Sequence, residues 1–170
     1  MIEQSKCRAF LGFGGNLGKP LNNFRYARQQ LAKQLDIEVI SSSPLYQTPP
    51  IGGPEGQPDY LNAVVEILTG LSAPDLLQLC QQIEMDAGRS RNLHWGPRTL
   101  DIDLLLVEDL IMETPLLTLP HPRLHQRHFV LLPLNDLVPE RCHPTFKITI
   151  NQLLKALPDA VGITQLTETW

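Results

Sequence analysis

The sequence has few cysteines, and their spacing predicts neither a disulfide framework nor a thiolate metal site. Cys7, Cys80 and Cys142 are odd in number and far apart, and no C-x-x-C pair occurs. The chain also lacks the run of about 20 apolar residues that a membrane-spanning helix needs. Residues 1–6 are mostly polar or charged. These absences predict a cytoplasmic protein with no membrane segment.

Positive charge is also scarce. Lysine and arginine number 14 against 18 aspartates and glutamates, which gives a net charge of -4 at pH 7. Broad nucleic-acid binding relies on basic side chains that neutralise many phosphates, so this balance argues against a nucleic-acid partner. A length of 170 residues with 42% hydrophobic residues and no internal repeat predicts one globular domain over residues 1–170. We expect this domain to be a monomer.

The familiar nucleotide-binding and hydrolytic motifs are missing. A G-x-G-x-x-G fingerprint that starts at Gly12 would need glycine where Leu17 stands. A Walker loop that ends at Gly18 and Lys19 would need a hydroxyl residue where Pro20 stands. No H-E-x-x-H zinc motif and no nucleophile elbow occur. The sequence therefore argues against Rossmann, P-loop, zinc-dependent and covalent mechanisms.

Hydrophobic periodicity predicts an α+β protein. An early strand runs into a glycine-rich turn at 14–18, and a helix follows whose apolar stripe extends to Leu35. Ser72 and Asp75 predict the start of a second helix that ends at Gly88. The predicted strands are 8–13, 37–43, 60–68 and 100–107, with a loop at 48–58, a hairpin near 108–109 and helices at 129–137 and 150–157. This order matches a ferredoxin-like split βαβ core with additional C-terminal helices.

Two carboxylates, Asp101 and Asp103, stand two residues apart on a predicted strand. Residues at this spacing face the same side of a sheet, so the pair would present its charges together while Leu100, Ile102 and Leu104 pack behind. Paired oxygen ligands of this kind suit Mg²⁺ that arrives with nucleotide phosphates. The alternative is a solvent-facing strand edge whose charge is neutralised by Arg98 or Arg91.

A basic loop, 89–98, leads directly into the carboxylate strand. It carries Arg89, Arg91 and Arg98 together with Trp95. Guanidinium groups match phosphate oxygens and stabilise the charge that develops in phosphoryl transfer. Ion pairs with Glu84 and Asp86, or a solvated loop, are the alternative interpretation. The arginines and carboxylates together indicate nucleotide chemistry.

Four motifs resemble those of one enzyme family. They are Tyr46-Gln47-Thr48-Pro49-Pro50, Gln57-Pro58-Asp59-Tyr60-Leu61-Asn62, the stretch from Arg89 to Asp103, and Leu119-Pro120-His121-Pro122-Arg123. Over roughly residues 10–139 the chain resembles the 6-hydroxymethyl-7,8-dihydropterin pyrophosphokinase family of folate biosynthesis. This resemblance implies a ferredoxin-like fold and transfer of diphosphate from ATP to the hydroxymethyl group of a reduced pterin, which yields AMP and the pterin diphosphate.

The resemblance also implies roles for individual residues on the ATP side. Asp101 and Asp103 would hold two Mg²⁺ ions against the ATP phosphates, and Arg89 and Arg98 would stabilise the transferring group. We hypothesise that Asp103 also accepts the hydroxyl proton during in-line attack on the β-phosphorus. The implied nucleotide contacts are Gln81, Glu84, Arg91, Trp95, Arg98, Leu104, Thr118, His121 and Arg127.

On the pterin side, the resemblance implies that the heterocycle lies between the rings of Tyr60 and Phe129. Plain core packing is the alternative for both rings. The other implied substrate contacts are Thr48, Pro49, Ile51, Asn62 and Trp95. The loops 48–58 and 89–94 flank the predicted site and are candidate lids that would exclude water.

Two rival functions remain open from the sequence. A different Mg²⁺-dependent phosphotransferase or nucleotidyl transferase would release ADP or diphosphate instead of AMP. A ferredoxin-like RNA-binding module would use Arg89, Arg91 and Trp95, but no strand carries the aromatic residues typical of such modules. The nucleotide product and an RNA titration would separate these hypotheses.

Overall fold

The computed structural model describes residues 5–89 and 96–170. Two predicted contact residues, Arg91 and Trp95, and most of the candidate lid 89–94 lie outside the described residues. The described helices and strands follow one another in the order β1 (Cys7–Gly15), α1 (Pro20–Ala32), β2 (Ile37–Ser42), β3 (Tyr46–Thr48), β4 (Tyr60–Thr69), α2 (Ala73–Asp86), β5 (Asp101–Val107), β6 (Met112–Glu113), β7 (Thr118–Leu119), α3 (His128–Leu137), α4 (Ile150–Ala156) and β8 (Thr164–Gln165).

The main sheet is antiparallel, with β1 between β4 and β5. The outer edge of the long strand β4 is shared, because β2 pairs with its second half and β3 with its first half. The short strand β8 continues the sheet beyond β3. The order β5-β1-β4-β2, with α1 and α2 as the connecting helices, confirms the predicted ferredoxin-like α+β fold.

Each face of the sheet carries its own hydrophobic cluster, as the period-2 alternation of strands requires. Helices α1 and α2 cover one face, where Phe24, Leu31, Leu76 and Ile83 pack against strand residues. Helices α3 and α4 cover part of the other face. There the buried residues are Phe10, Val64, Leu105, Leu106, Leu124, Val130, Leu131, Leu134, Ile150 and Leu153. None of the helices in the described part of the chain has the length and apolar character needed to cross a bilayer.

Three sequence predictions of local structure are wrong, and the first two concern the end of α1 and the segment after β5. Helix α1 ends at Ala32, and Leu35 is 97% exposed instead of continuing the apolar stripe. The chain turns there, because the amide of Ile37 bonds to the carbonyl of Gln34 and β2 begins at once. The hairpin expected near 108–109 closes instead at 114–117, where β6 pairs with β7 in a separate two-stranded sheet.

The glycines predicted to form a turn at 14–15 belong to β1 instead. The structural reason is clearest at Gly15, where an added Cβ would lie 2.7 Å from the carbonyl oxygen of Thr99. A side chain at this position would collide with backbone, so glycine lets the end of β1 approach the segment that precedes β5. The following residues, Asn16 and Leu17, bond to that same segment.

Candidate active site

The main cavity opens where α3 stops covering the sheet. On the face that α3 partly covers, each of three central strands changes from a large apolar residue under the helix to other residues at the cavity. In β1 Phe10 is followed on this face by Gly12 and Gly14. The corresponding residues are Leu105, Asp103 and Asp101 in β5, and Val64, Asn62 and Tyr60 in β4. Cross-strand pairing places Gly12 beside Asp103, and Gly14 beside Asp101. The cavity has a volume of about 480 Å³. Its glycine floor leaves room for a ligand against the backbone.

Asp101 lies between two arginines at one side of this cavity. Its Oδ2 accepts a hydrogen bond of 2.7 Å from Nη1 of Arg98. Its Oδ1 is 3.0 Å from Nη2 of Arg89 but has no hydrogen-bond partner among the described residues. Burial raises the pKa of Asp101, although both guanidinium groups act to lower it. Arg98 therefore pairs with this carboxylate, as the alternative interpretation allowed, but the second partner is Arg89 and the Asp101 side chain is only 19% exposed, so the pair is not a solvent-facing strand edge.

Glu84 extends the network below the cavity. It is 3% exposed, its Oε2 pairs with Nη1 of Arg89, and its Oε1 accepts a 2.6 Å hydrogen bond from the amide of Ile102. Burial raises the pKa of Glu84 to about 7, while the hydrogen bond from Ile102 and the charge of Arg89 counteract the shift. The ion pair between Arg89 and Glu84 is the alternative that the sequence left open for the arginines of the basic loop 89–98.

Replacing Glu84 with glutamine tests this buried carboxyl. Below pH 4.5 both the folded and the unfolded wild type hold its proton, whereas between pH 4.5 and pH 7 only the folded state does. As the pH rises from 4.5 to 7, the free energy of unfolding of the wild type should therefore fall by up to about 3 kcal/mol relative to that of Glu84→Gln. Above pH 7 the difference between the two proteins should stay constant. Urea unfolding of both proteins with a chelator present measures the difference, and a flat profile would contradict it.

Asp103 is the exposed member of the carboxylate pair. Its side chain is 52% exposed, and its Oδ2 lies 4.0 Å from Nε2 of His121. Burial lowers the pKa of His121, although the nearby charge of Asp103 acts to raise it. The pKa of Arg127 is also lowered by burial, and the guanidinium lies 5.4 Å from the ring centroid of Phe129. Asp103 thus faces the cavity with basic groups around it.

The backbone of Arg98 is fixed by the turn after β1. The carbonyl of Arg98 accepts hydrogen bonds from the amides of Asn16 (2.9 Å) and Leu17 (3.0 Å), and its amide donates to Oδ1 of Asn16 (2.9 Å). The side-chain amide of Asn16 also donates to the carbonyl of Pro58 (3.1 Å). Asn16 was not among the predicted site residues. The only hint in the sequence was an asparagine in a predicted turn, because a side-chain amide that becomes buried there needs several hydrogen-bond partners.

The far side of the cavity is lined by predicted pterin contacts. Thr48, Pro49, Ile51, Asn62 and Phe129 all line it, together with Tyr60. Asn62 donates a 2.7 Å hydrogen bond from Nδ2 to Oγ1 of Thr48, which leaves its carbonyl oxygen toward the glycine floor, 3.3 Å from where a Cβ on Gly14 would be. The Tyr60 hydroxyl donates to the carbonyl of Gly96 at 3.2 Å. This side of the cavity therefore combines apolar side chains with the hydrogen-bonding groups of Thr48 and Asn62.

Not every predicted residue lines the cavity. Among the described residues predicted for the ATP side, Asp101, Asp103, Arg98 and Arg127 do so. Leu104 is 3% exposed, and its side chain belongs to the core on the opposite face of β5. Predicted nucleotide contacts that lie outside the wall are Gln81 on α2, Glu84, Leu104, Thr118 on β7 and His121. Residues that line it without having been predicted include Gly12, Gly14, Arg123 and Gln126.

The carboxylate pair fits a divalent cation bound with phosphates. Both side chains point into the cavity, Asp103 is half exposed, and one oxygen of Asp101 has no hydrogen-bond donor among the described residues. No group of three or more histidine, cysteine or acidic side chains in 5–89 and 96–170 could enclose a metal alone. Mg²⁺ commonly takes one or two protein carboxylates and completes its octahedron with water and phosphate oxygens.

Solved structures share this fold. The crystal structure of wild-type Plasmodium falciparum HPPK-DHPS with pteroate superposes with a TM-score of 0.69 at 18% sequence identity, over 91% of this chain and 43% of that chain. The wild-type structure with pterin and p-hydroxybenzoate gives a TM-score of 0.68 at 17% identity, over 91% and 44%. At these identities the likeness concerns the fold alone, and this chain spans less than half of those chains.

Sequence relatives are much closer. A 2-amino-4-hydroxy-6-hydroxymethyldihydropteridine pyrophosphokinase from Synechocystis is 43% identical over 147 residues, which cover 86% of this chain and 74% of the relative. The Pseudomonas aeruginosa protein of the same name is 38% identical over 151 residues, or 89% and 92% of the two chains. The Schizosaccharomyces pombe folic acid synthesis protein fol1 is 40% identical over 150 residues, but this chain covers only 20% of its length.

The fold and these similarities define a transferase of the pyrophosphokinase type. The family model described as 7,8-dihydro-6-hydroxymethylpterin-pyrophosphokinase matches residues 10–139. The chain belongs to this family, as its sequence motifs predicted.

Proposed function

We propose that this protein transfers diphosphate from ATP to the hydroxymethyl group of 6-hydroxymethyl-7,8-dihydropterin, which releases AMP and forms the pterin diphosphate for folate synthesis. Family membership supports the reaction. The observation that carries the proposal is that one cavity is lined by both predicted sets of residues. Its lining includes Asp101, Asp103 and Arg98 from the predicted ATP side and Asn62 and Phe129 from the predicted pterin side. We also propose that residues 1–170 act as one monomeric domain.

The two halves of the cavity suit the two substrates. The phosphate side carries Arg98, Arg123 and Arg127, which match the charge of a nucleotide triphosphate. The pterin side has the ring of Phe129 for stacking a flat heterocycle and the Asn62 amide for its polar edge. Pro49 and Ile51 lie at the start of the loop 49–59, which follows Thr48 and which we call the substrate loop.

The chemistry requires an in-line displacement at the β-phosphorus. The hydroxymethyl oxygen of the pterin forms a bond to that phosphorus while the bond to the oxygen bridging the α- and β-phosphates breaks, and AMP leaves. The Asp103 carboxylate, which faces the cavity, accepts the hydroxyl proton. Arg98 stabilises negative charge on the transferring group, and Arg89 supports Arg98 through their shared partner, Asp101.

The carboxylates of Asp101 and Asp103 would hold two Mg²⁺ ions against the ATP phosphates. When bound, Mg²⁺ neutralises phosphate charge and orients the transferring group. Asp101 would then exchange its contact with Arg98 for the cation, which frees this guanidinium for the phosphates. The Arg91 and Trp95 contacts remain part of the proposal on the family resemblance alone.

The product assay tests the proposed function directly. The protein is incubated with Mg²⁺, ATP and 6-hydroxymethyl-7,8-dihydropterin, and the nucleotides are separated by ion-exchange chromatography. We expect AMP to form in equal amount to the pterin diphosphate and only when pterin is present. ADP as the product would instead support another phosphotransferase, and diphosphate would support a nucleotidyl transferase. Absence of any turnover would overturn the enzymatic proposal.

A further inference from the structure

The segment 162–170, which we call the edge segment, covers the open edge of β3. Its strand β8 pairs with Tyr46 and Gln47, and the amide of Leu166 donates a 2.8 Å hydrogen bond to the carbonyl of Leu45. Strand β3 has only three residues, and the substrate loop follows directly after Thr48. The edge segment therefore borders the strand from which the substrate loop departs, and it lies beyond the family match at residues 10–139.

Trp170 anchors the edge segment against the core. Its ring lies 5.8 Å from that of Phe13 and 5.5 Å from that of Phe24, and its indole N–H donates a 2.9 Å hydrogen bond to the carbonyl of Ser43. The guanidinium of Arg28 lies 5.0 Å from the Trp170 ring centroid. Aromatic pairs and a satisfied indole make a strong attachment for so short a segment.

The edge segment also contacts the substrate loop directly. Gly162 has φ +73°, and a Cβ added there would lie 3.2 Å from Cγ of Pro49. Pro49 lines the cavity. A second connection runs through Tyr46, whose hydroxyl donates to Asp136 of α3 and lies 3.4 Å from Oε1 of Gln165. Helix α3 carries Phe129, so the edge segment is linked to both supports of the proposed pterin wall, directly at Pro49 and through Tyr46 at α3.

We propose that the edge segment is a positioning element for pterin binding, which holds β3 and Pro49 where the substrate loop must begin. The inference rests on the proposed function. It implies that disturbing Gly162 or Trp170 weakens pterin binding specifically, because the ATP-side residues Asp101, Asp103 and Arg98 belong to β5 and to the segment before it, away from the edge segment.

Gly162→Ala tests the contact with Pro49. The added methyl group must displace the Pro49 ring by a few tenths of an ångström, so we expect the pterin dissociation constant to rise about tenfold. Titrations use a non-hydrolysable ATP analogue with Mg²⁺, and the affinity for the analogue should stay within about twofold. Gly18→Ala is the control, since Gly18 has φ +70° with nothing within 4 Å of its Cβ position. It introduces the same backbone strain without the contact.

Trp170→Ala tests the anchor and should weaken pterin binding to a similar extent, whereas Trp170→Phe keeps the ring contacts and should recover most of the affinity. Ile37→Ala, a buried residue of β2 at the far end of the sheet, controls for lost stability. If wild type binds pterin but both Gly162→Ala and Trp170→Ala bind it equally well, the edge segment has no positioning role. If wild type itself does not bind pterin, the proposed function fails and this inference with it.

Discussion

Exchanging Asp103 for asparagine should lower kcat on the order of 10³-fold, because the proposed Mg²⁺ ligand and proton acceptor are lost together. The Asp103 side chain is 52% exposed, and asparagine has nearly the same shape as aspartate, so the substitution should leave the fold intact. Steady-state AMP formation across a range of Mg²⁺ concentrations measures the effect. A higher Mg²⁺ requirement for ATP binding should accompany the loss of turnover.

Asp109→Asn is the matched control for the loss of a negative charge. Asp109 is 85% exposed and lies next to Arg141, outside the cavity wall. It should keep the activity of wild type. Asp101 would be a poorer choice for this test, because its carboxylate also pairs with Arg89 and Arg98. A loss of less than tenfold in Asp103→Asn would contradict the role proposed for this carboxylate.

The position of the carboxylate pair could be predicted because it depends on local geometry. Alternation along β5 puts Asp101 and Asp103 on one face, while Leu100, Ile102 and Leu104 belong to the core behind it, as predicted. The order of helices and strands was also sufficient for the ferredoxin-like fold. Helical spacing predicted the C-terminal end of α1 less well, because Leu35 continues the apolar pattern although the helix ends at Ala32.

The partners of the site residues depend on tertiary contacts, which no local pattern contains. The bonds from Asn16 to Arg98 join residues 82 positions apart. Arg123 and Gln126 reach the cavity only because the segment before α3 folds back over the sheet. Strand β8 was not predicted either, since Thr164 and Gln165 are exposed and form a strand only through pairing with β3.

The glycines of β1 show how the same residue type supports two interpretations. The glycines predicted a turn from Gly14 onward, but Gly14 is a paired strand residue that continues the cavity floor beyond Gly12. The alternation of Gly12 and Gly14 with Phe13 was the available signal. A strand with glycines on one face and a buried aromatic residue on the other is anchored in the core and leaves space for a ligand on the glycine face.

Arg98→Ala should reduce kcat by roughly 10³-fold or more at saturating substrates, on the scale that a transition-state arginine contributes in phosphoryl transfer. Burial alone would lower the pKa of Arg98, but the charge of Asp101 and their hydrogen bond raise it, so the guanidinium stays charged. Its backbone is held by Asn16 and Leu17, which limits how far the group must move toward the phosphates. ATP affinity should change much less than kcat.

Arg98→Lys separates charge from geometry. Lysine keeps the positive charge but lacks the planar fork that contacts two oxygens, so we expect it to recover only a small part of the lost rate. Arg8→Ala is the control, because Arg8 also pairs with a buried carboxylate, that of Glu66, at the far end of the sheet. Single-turnover AMP formation should be normal in Arg8→Ala even if stability falls. If Arg98→Ala turned over as fast as Arg8→Ala, Arg98 would be a structural partner of Asp101 and not a catalytic residue.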